Sequence, residues 1–180
     1  MNDGCKRIAI LPTGDEIAAG IVRDTDSPMA EEILTRLFPG CRIRREPPAP
    51  DRQEDIRDRI VRAAGESDLV VLIGGSGGGH RFSPSLACDY THSAMEEVLT
   101  ESAATSLYGK NGHLWSRLVC GRLGETVVFN LPGPFREAEA ALKAFAQAWE
   151  SGQRRLDEWN RAMAQAVAAQ YGEHPGPLDQ

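Results

Sequence analysis

Asp68-Leu-Val-Val-Leu-Ile-Gly-Gly-Ser-Gly-Gly-Gly-His80 decides the fold of this chain. The apolar run from Leu69 to Ile73 has no polar break, which is typical of a parallel strand covered on both faces. Glycine fills five of the next six positions, 74–79, more than a simple strand-to-helix turn needs. Glycine lets backbone N–H groups turn toward a ligand, and open α/β sheets bind ligands beyond the carboxyl ends of such strands. The segment therefore predicts a buried strand followed by a ligand-binding loop.

Strand and helix patterns alternate on both sides of this segment, which predicts βαβ units and a mostly parallel sheet. Apolar or alternating runs predict further strands at 8–11, 41–45, 114–120 and 126–130. Helical spacing predicts helices at 28–38, 53–64 and 83–105, and two more stripes from Ala138 to Trp149 and from Leu156 to Tyr171. The aromatic residues of these last stripes indicate core packing or a subunit interface.

Composition places the chain among soluble globular proteins. It has 180 residues, 41% of them hydrophobic and 26% charged, and a net charge of −6, which argues against a nucleic-acid partner. No apolar stretch approaches the ~20 residues that span a bilayer, and no signal-peptide pattern opens the sequence. The four cysteines lack a CxxC pair and the histidines lack metal-ligand spacing, so we expect reduced thiols, a cytoplasmic location and no metal site of this kind.

Four motifs resemble the molybdopterin-binding domain shared by the molybdenum-cofactor proteins MogA, MoaB and MoeA and by CinA. In chain order they are Thr13-Gly-Asp-Glu-Ile17, the run Asp68–Gly77, Trp115-Ser-Arg117 and Phe129-Asn-Leu-Pro-Gly133. The resemblance implies a three-layer αβα sandwich with a mostly parallel sheet, often assembled as a trimer. We therefore expect residues 1–150 to form this domain, and residues 151–180 to form an extra C-terminal helix and tail.

The same resemblance implies a ligand and a reaction. The family binds molybdopterin with its phosphate against the glycine loop and the Asn-Leu-Pro-Gly turn, and the MogA-type branch adenylylates it with ATP and magnesium. The expected partners are a small pterin or nucleotide ligand, further copies in a homo-oligomer, with a trimer favoured, and other molybdenum-cofactor proteins. Neither nucleic acid nor a membrane is expected.

The motifs supply the candidate site residues. Asp15 and Asp51 are the predicted catalytic acids, and each has an alternative role at a helix N-terminus. The glycine-loop amides suit an anion, and Arg117 suits a phosphate, with a surface ion pair as its alternative. The predicted cofactor-binding residues are Thr13, Gly14, Glu16, Gly74, Gly75, Ser76, Gly77, Gly78, Arg81, Ser116, Arg117, Asn130, Leu131, Pro132 and Gly133.

One departure from the family pattern opens an alternative function. In the family, Arg-Asp usually follows the glycine loop, whereas this sequence has Arg81-Phe82 at the matching positions. Phenylalanine can neither bind magnesium nor move a proton. The alternative is a non-catalytic pterin- or nucleotide-binding module, a carrier or regulator, that has lost this aspartate. Asp89 and Glu96 are candidate replacement acids if their helix faces the pocket. A different nucleotide or phosphate-sugar enzyme on the same scaffold is a third reading.

Overall fold

A computed structural model describes residues 5–77, 89–109 and 112–171. The strands are β1 (Arg7–Pro12), β2 (Arg42–Arg45), β3 (Leu69–Ile73), β4 (Glu101–Tyr108), β5 (Leu114–Leu123) and β6 (Thr126–Leu131). The helices are α1 (Asp15–Ala18), α2 (Asp26–Leu37), α3 (Gln53–Glu66), α4 (Thr91–Val98), α5 (Phe135–Glu150) and α6 (Leu156–Ala168), and a 3-10 helix follows at Ala169–Tyr171.

The strands of the described residues form one mixed sheet in the order β2-β1-β3-β6-β5-β4. The first four run parallel, whereas β5 pairs antiparallel with both β6 and β4. The register aligns Pro12 with Ile73 and Ile73 with Leu131, so β1, β3 and β6 end side by side. Their shared carboxyl edge is where the glycine loop begins.

Helices cover both faces of the sheet and complete the three-layer αβα sandwich. Within β3, Leu69, Val71 and Ile73 face the core shared with α2, α5 and α6. Val70 and Leu72 face the opposite core, shared with α3 and α4. Burial on both faces explains why this strand is a continuous apolar run.

The last helix packs against its own chain. Trp159, Met163 and Val167 on α6 are fully buried in the core that α5, β4 and β5 share. The side-chain Nδ2 of Asn160, on the same helix, donates to the Leu118 carbonyl of β5 at 2.9 Å. The prediction of core packing is thus confirmed for these three residues, which pack against the sheet of the same molecule, but not for Tyr171, which is exposed.

The predicted helix over 83–105 is wrong in its second half. α4 ends at Val98, and Glu101–Tyr108 forms the edge strand β4, while residues 83–88 lie outside the described residues. Glu101-Ser-Ala-Ala is compatible with helix, but antiparallel pairing with β5 overrides this local preference. Within the described ranges, no helix has the length and apolar character that crossing a bilayer requires.

Candidate functional site

Three motifs meet at the carboxyl edge of the sheet. The Gly74 amide donates to the Leu131 carbonyl at 3.1 Å, and a Cβ placed on Gly133 would lie 3.7 Å from the Gly74 Cα. The Thr13 amide donates to the Ile73 carbonyl at 2.8 Å. The first turn, the glycine loop and the Asn-Leu-Pro-Gly turn therefore touch.

The described part of the glycine loop, Gly74–Gly77, forms a backbone cradle that packs so tightly against its neighbours that no side chain fits at its first two positions. A Cβ on Gly74, at φ 105°, would lie 2.5 Å from the Thr13 carbonyl oxygen. A Cβ on Gly75, at φ 57°, would lie 2.2 Å from the Thr91 hydroxyl. A side chain at either position would have to displace packed neighbours, and both φ angles favour glycine. The cradle thus requires glycine at both positions, because Thr13 and Thr91 already occupy the space that side chains would need.

Buried hydroxyl groups hold the cradle in place. The Thr13 and Thr91 hydroxyl oxygens lie 2.9 Å apart, and the Thr91 amide donates to the Gly75 carbonyl at 3.2 Å. On the other side, the Ser116 hydroxyl donates to Ser76 Oγ at 3.2 Å. These hydroxyls tie β1, α4 and β5 to the loop, which is how the predicted binding residues Thr13, Ser76 and Ser116 are placed in this structure.

Asn130 links β6 to the part of β5 that leaves the regular ladder. Its Oδ1 accepts from the Val119 amide at 2.6 Å and its Nδ2 donates to the Arg117 carbonyl at 2.9 Å. The side chain is fully buried, and backbone pairing of β5 with β6 begins only at Cys120. Asn130 therefore replaces the missing ladder bonds and fixes the position of the Ser-Arg segment beside the loop.

Two predicted acids lock the first turn to the segment before α3. The Asp51 carboxylate accepts from the Asp15 amide at 3.2 Å, and the Asp15 carboxylate accepts from the Asp51 amide at 3.0 Å. The alternative role of Asp51 as an N-cap is wrong, because Arg52 holds that position. Glu16 folds back toward Gly14, where a Cβ would lie 3.7 Å from its carboxylate.

The Asp51 carboxyl sits in an electronegative setting. Burial raises its pKa, and the charge of Asp15 raises it further. Glu16 and Asp89 also raise the pKa of this group, while the hydrogen bond from the Asp15 amide lowers it. Such a carboxyl favours either a proton or a nearby cation. A cleft of about 470 Å³ opens here, lined by Asp51–Asp55 and Tyr90.

Asp89 is the second acid at the loop. A Cβ on Gly77 would lie 2.6 Å from an Asp89 carboxylate oxygen, and α4 begins two residues later at Thr91. Phe82, which stands at the position of the family aspartate, lies outside the described residues, as do Gly78 and Arg81. Asp89 was one of the two candidate replacement acids, and its condition, a position facing the loop, is met in the structure.

Arg117 and Glu96, the other candidate acid, form an ion pair. The guanidinium donates to the Glu96 carboxylate at 2.5 and 2.9 Å and to the Ser106 hydroxyl at 2.6 Å. Both side chains are about one-third exposed. The predicted ion-pair alternative is therefore present here, and Glu96 neutralises Arg117 while Asp89 takes the position beside the loop.

His92 lies against the same loop. Burial lowers the pKa of its imidazole, although the Glu96 charge and the Gly75 main chain oppose this. Its buried Nδ1 has no hydrogen-bond partner among the described residues. Across the same part of the chain, no group of three or more histidine, cysteine or acidic side chains is arranged to hold a metal ion.

Comparison with known proteins fits this geometry. The chain is 41% identical over 71 residues, 39% of its length, to a CinA-like protein of Anaeromyxobacter dehalogenans, and covers 17% of that protein. It is 31% identical over 147 residues, 79% of its length, to a molybdenum cofactor biosynthesis bifunctional protein of Chlorobaculum tepidum, and covers 46% of it. The chain thus spans less than half of either curated relative.

The solved structure of the molybdopterin biosynthesis enzyme MoaB from Thermus thermophilus shares the fold, with a TM-score of 0.60 at 21% identity over 90% of this chain and 96% of that one. The model of the family described as "Probable molybdopterin binding domain" matches residues 9–150. That match takes in the first turn, the glycine loop, the Ser-Arg segment and the Asn-Leu-Pro-Gly turn, so this chain belongs to the molybdopterin-binding domain family of molybdenum-cofactor biosynthesis.

Proposed function

We propose that the carboxyl edge of the sheet binds molybdopterin itself, with the phosphate at the glycine cradle. The observation that carries this proposal is the meeting of the first turn, the glycine loop and the Asn-Leu-Pro-Gly turn at the carboxyl edge of the sheet, where open α/β sheets bind ligands. Successive amides in such a loop bind an anion through partial charges and without a protonatable partner. Arg117 lies beside the loop on β5. Its guanidinium would bind the phosphate if its ion pair with Glu96 opened.

The proposed reaction is adenylylation of the bound molybdopterin by ATP. A phosphate oxygen of the pterin would attack the α-phosphorus of ATP, the bond to the β-phosphate oxygen would break, and pyrophosphate would leave. Asp51 and Asp89 would hold magnesium, since this ion is commonly bound by one or two carboxylates together with substrate phosphates. Bound magnesium would neutralise charge on the reacting phosphates. The raised pKa of Asp51 supports this assignment, because a cation there would relieve its crowded negative charge.

The alternative is a non-catalytic pterin- or nucleotide-binding carrier or regulator, argued from Phe82. Its premise is that the acid beside the loop has been lost. Asp89 weakens that premise, because a carboxylate oxygen already lies against Gly77. Adenylylation therefore depends on Asp89 as a magnesium ligand. The alternative holds if Asp89 does not bind magnesium.

The deciding experiment is titration calorimetry with molybdopterin, with and without Mg-ATP, followed by detection of adenylylated product. We expect binding and product for the wild type, and binding without product for Asp89→Asn. Asp157→Asn, in the distant helix α6, is the matched control and should retain both. Product from Asp89→Asn would remove Asp89 from the reaction. Binding without product from the wild type, with product restored by Phe82→Asp, would establish the carrier alternative.

Assembly and location belong to the same proposal. We expect a homo-oligomer, with a trimer favoured by the family resemblance, acting in the cytoplasm beside other molybdenum-cofactor proteins. Exposed apolar side chains at Ile21, Val22 and Phe135 supply surface that a second copy would cover. Light scattering of the purified chain tests this, and a monomer at all concentrations would contradict it.

A further inference from the structure

Tyr171, the last described residue, contacts one residue within a site motif and one residue just after another. Its ring packs edge-on against Trp115, with 4.1 Å between ring centroids and an interplanar angle of 75°. Its hydroxyl is hydrogen-bonded to the carboxylate of Glu137, which is buried in the first turn of α5. Trp115 opens the Ser-Arg segment, and Glu137 follows the Asn-Leu-Pro-Gly turn by four residues. The C-terminal extension thus reaches the carboxyl edge of the sheet.

Trp115 in turn contacts the glycine loop through its main chain. A Cβ on Gly77 would lie 3.3 Å from the Trp115 carbonyl oxygen, so the two main chains are in close contact. Two residues along β5, the Arg117 amide donates to the Ser76 carbonyl at 2.6 Å. The order of contacts is therefore Tyr171 to Trp115, Trp115 to Gly77, and β5 to Ser76.

We propose that Tyr171 is a positioning residue that holds the start of β5 against the glycine loop by bridging Trp115 and Glu137. It acts through these neighbours and does not itself touch the ligand. An edge-to-face aromatic pair and a hydrogen bond to a carboxylate are both directional, so they fix the position of the Trp115 main chain more closely than burial alone. The helical extension would then help to build the site, in addition to covering the sheet.

The first test needs no ligand. Amide hydrogen exchange, followed residue by residue by NMR, reports opening of the Arg117 to Ser76 hydrogen bond. For Tyr171→Ala we expect the Arg117 amide to exchange about three- to tenfold faster, because the aromatic pair is lost. The Thr91 amide, which donates to Gly75 from the other side of the loop, should keep its rate. Tyr171→Phe keeps the ring and should show a smaller effect.

Val167→Ala is the matched control, since it removes buried volume from α6 while leaving both Tyr171 contacts in place. It should lower the stability of the whole domain and raise exchange at Thr91 and Arg117 together. An unchanged Arg117 rate in Tyr171→Ala, or equal acceleration of both amides, would overturn the proposal.

A second measurement rests on the proposed function. Molybdopterin affinity should fall about three- to tenfold in Tyr171→Ala and stay near wild type in Val167→Ala at a temperature where both remain folded. Unchanged affinity in Tyr171→Ala would count against the positioning role. If the wild type binds no molybdopterin, the proposed function fails, while the exchange experiment still decides the role of Tyr171.

Discussion

Replacing Asn130 with alanine tests whether this motif residue builds the site through the backbone of β5. The change removes an acceptor for the Val119 amide at 2.6 Å and a donor to the Arg117 carbonyl at 2.9 Å. The Val119 amide would then lack its partner in a fully buried setting and the Arg117 carbonyl in a partly buried one, at a cost of about 1–3 kcal/mol each. We expect the free energy of unfolding to fall by about 3 kcal/mol in total.

Equilibrium urea unfolding measures this loss through a lower midpoint at an unchanged slope. For a domain of this size, about 3 kcal/mol corresponds to a fall in Tm of roughly 6–12 °C. Thr126→Val is the matched control on the same strand, because the Thr126 hydroxyl also donates to main-chain carbonyls, at 2.7 and 2.8 Å, but at the opposite end of the sheet. It should lower stability and leave ligand affinity unchanged.

The outcome of Asn130→Ala separates two roles. A large loss of stability together with weaker binding fits a residue that fixes Ser116 and Arg117 beside the loop. A loss below about 1 kcal/mol, combined with abolished binding, would refute the structural reasoning, since the amide would then serve the ligand and not the strand.

Three further changes test the cradle and its charges. Gly75→Ala should lower the free energy of unfolding by about 2–3 kcal/mol in urea and abolish ligand binding, because its Cβ would lie 2.2 Å from the Thr91 hydroxyl at a positive φ; a stable variant that binds would contradict the cradle. Since burial raises the pKa of Asp51 above its ordinary value of 3.8, the native state holds this proton more tightly, and stability falls as pH rises above that value. Asp51→Asn should therefore unfold at a higher urea midpoint than wild type at pH 7, with the difference lost near pH 3; equal midpoints at both pH values would argue against this environment. Glu96→Gln should release Arg117 and tighten phosphate-ligand binding about two- to threefold at low salt, an effect that fades as salt rises; weaker binding would show that the ion pair orients Arg117.

The sequence predicts the parallel half of the fold well, because its signals there are local. Leu69–Ile73 reads as a strand buried on both faces, and the glycines that follow have positive φ at Gly74 and Gly75. The four motifs converge because β1, β3 and β6 end, and the antiparallel β5 begins, at the same edge. The fold class thus followed from patterns a few residues long, and the motifs that predict the site lie together at one edge of the sheet.

The antiparallel half was harder to predict, because its structure depends on distant partners. Glu101–Tyr108 becomes a strand through pairing with β5, a contact that no helical or alternating pattern announces. The role of Asn130 likewise depends on where β5 leaves the ladder, and that of Asp51 on reciprocal hydrogen bonds with Asp15 across 36 positions. Asp89 was a candidate replacement acid on condition that it faced the pocket, and only the structure brings its carboxylate beside Gly77.

The polar groups of the site fall into two kinds that should respond differently to mutation. The buried hydroxyls and the Asn130 amide bond to one another and to main chain, so their polar atoms are already engaged. Changes there should alter affinity through the geometry of the cradle and lower stability at the same time. Asp51 and Asp89 border the loop with charge, so changes to them should affect turnover with little loss of stability, or even a gain at Asp51. A hydroxyl variant that lost turnover while keeping full stability and affinity would mean that this hydroxyl takes part in the chemistry.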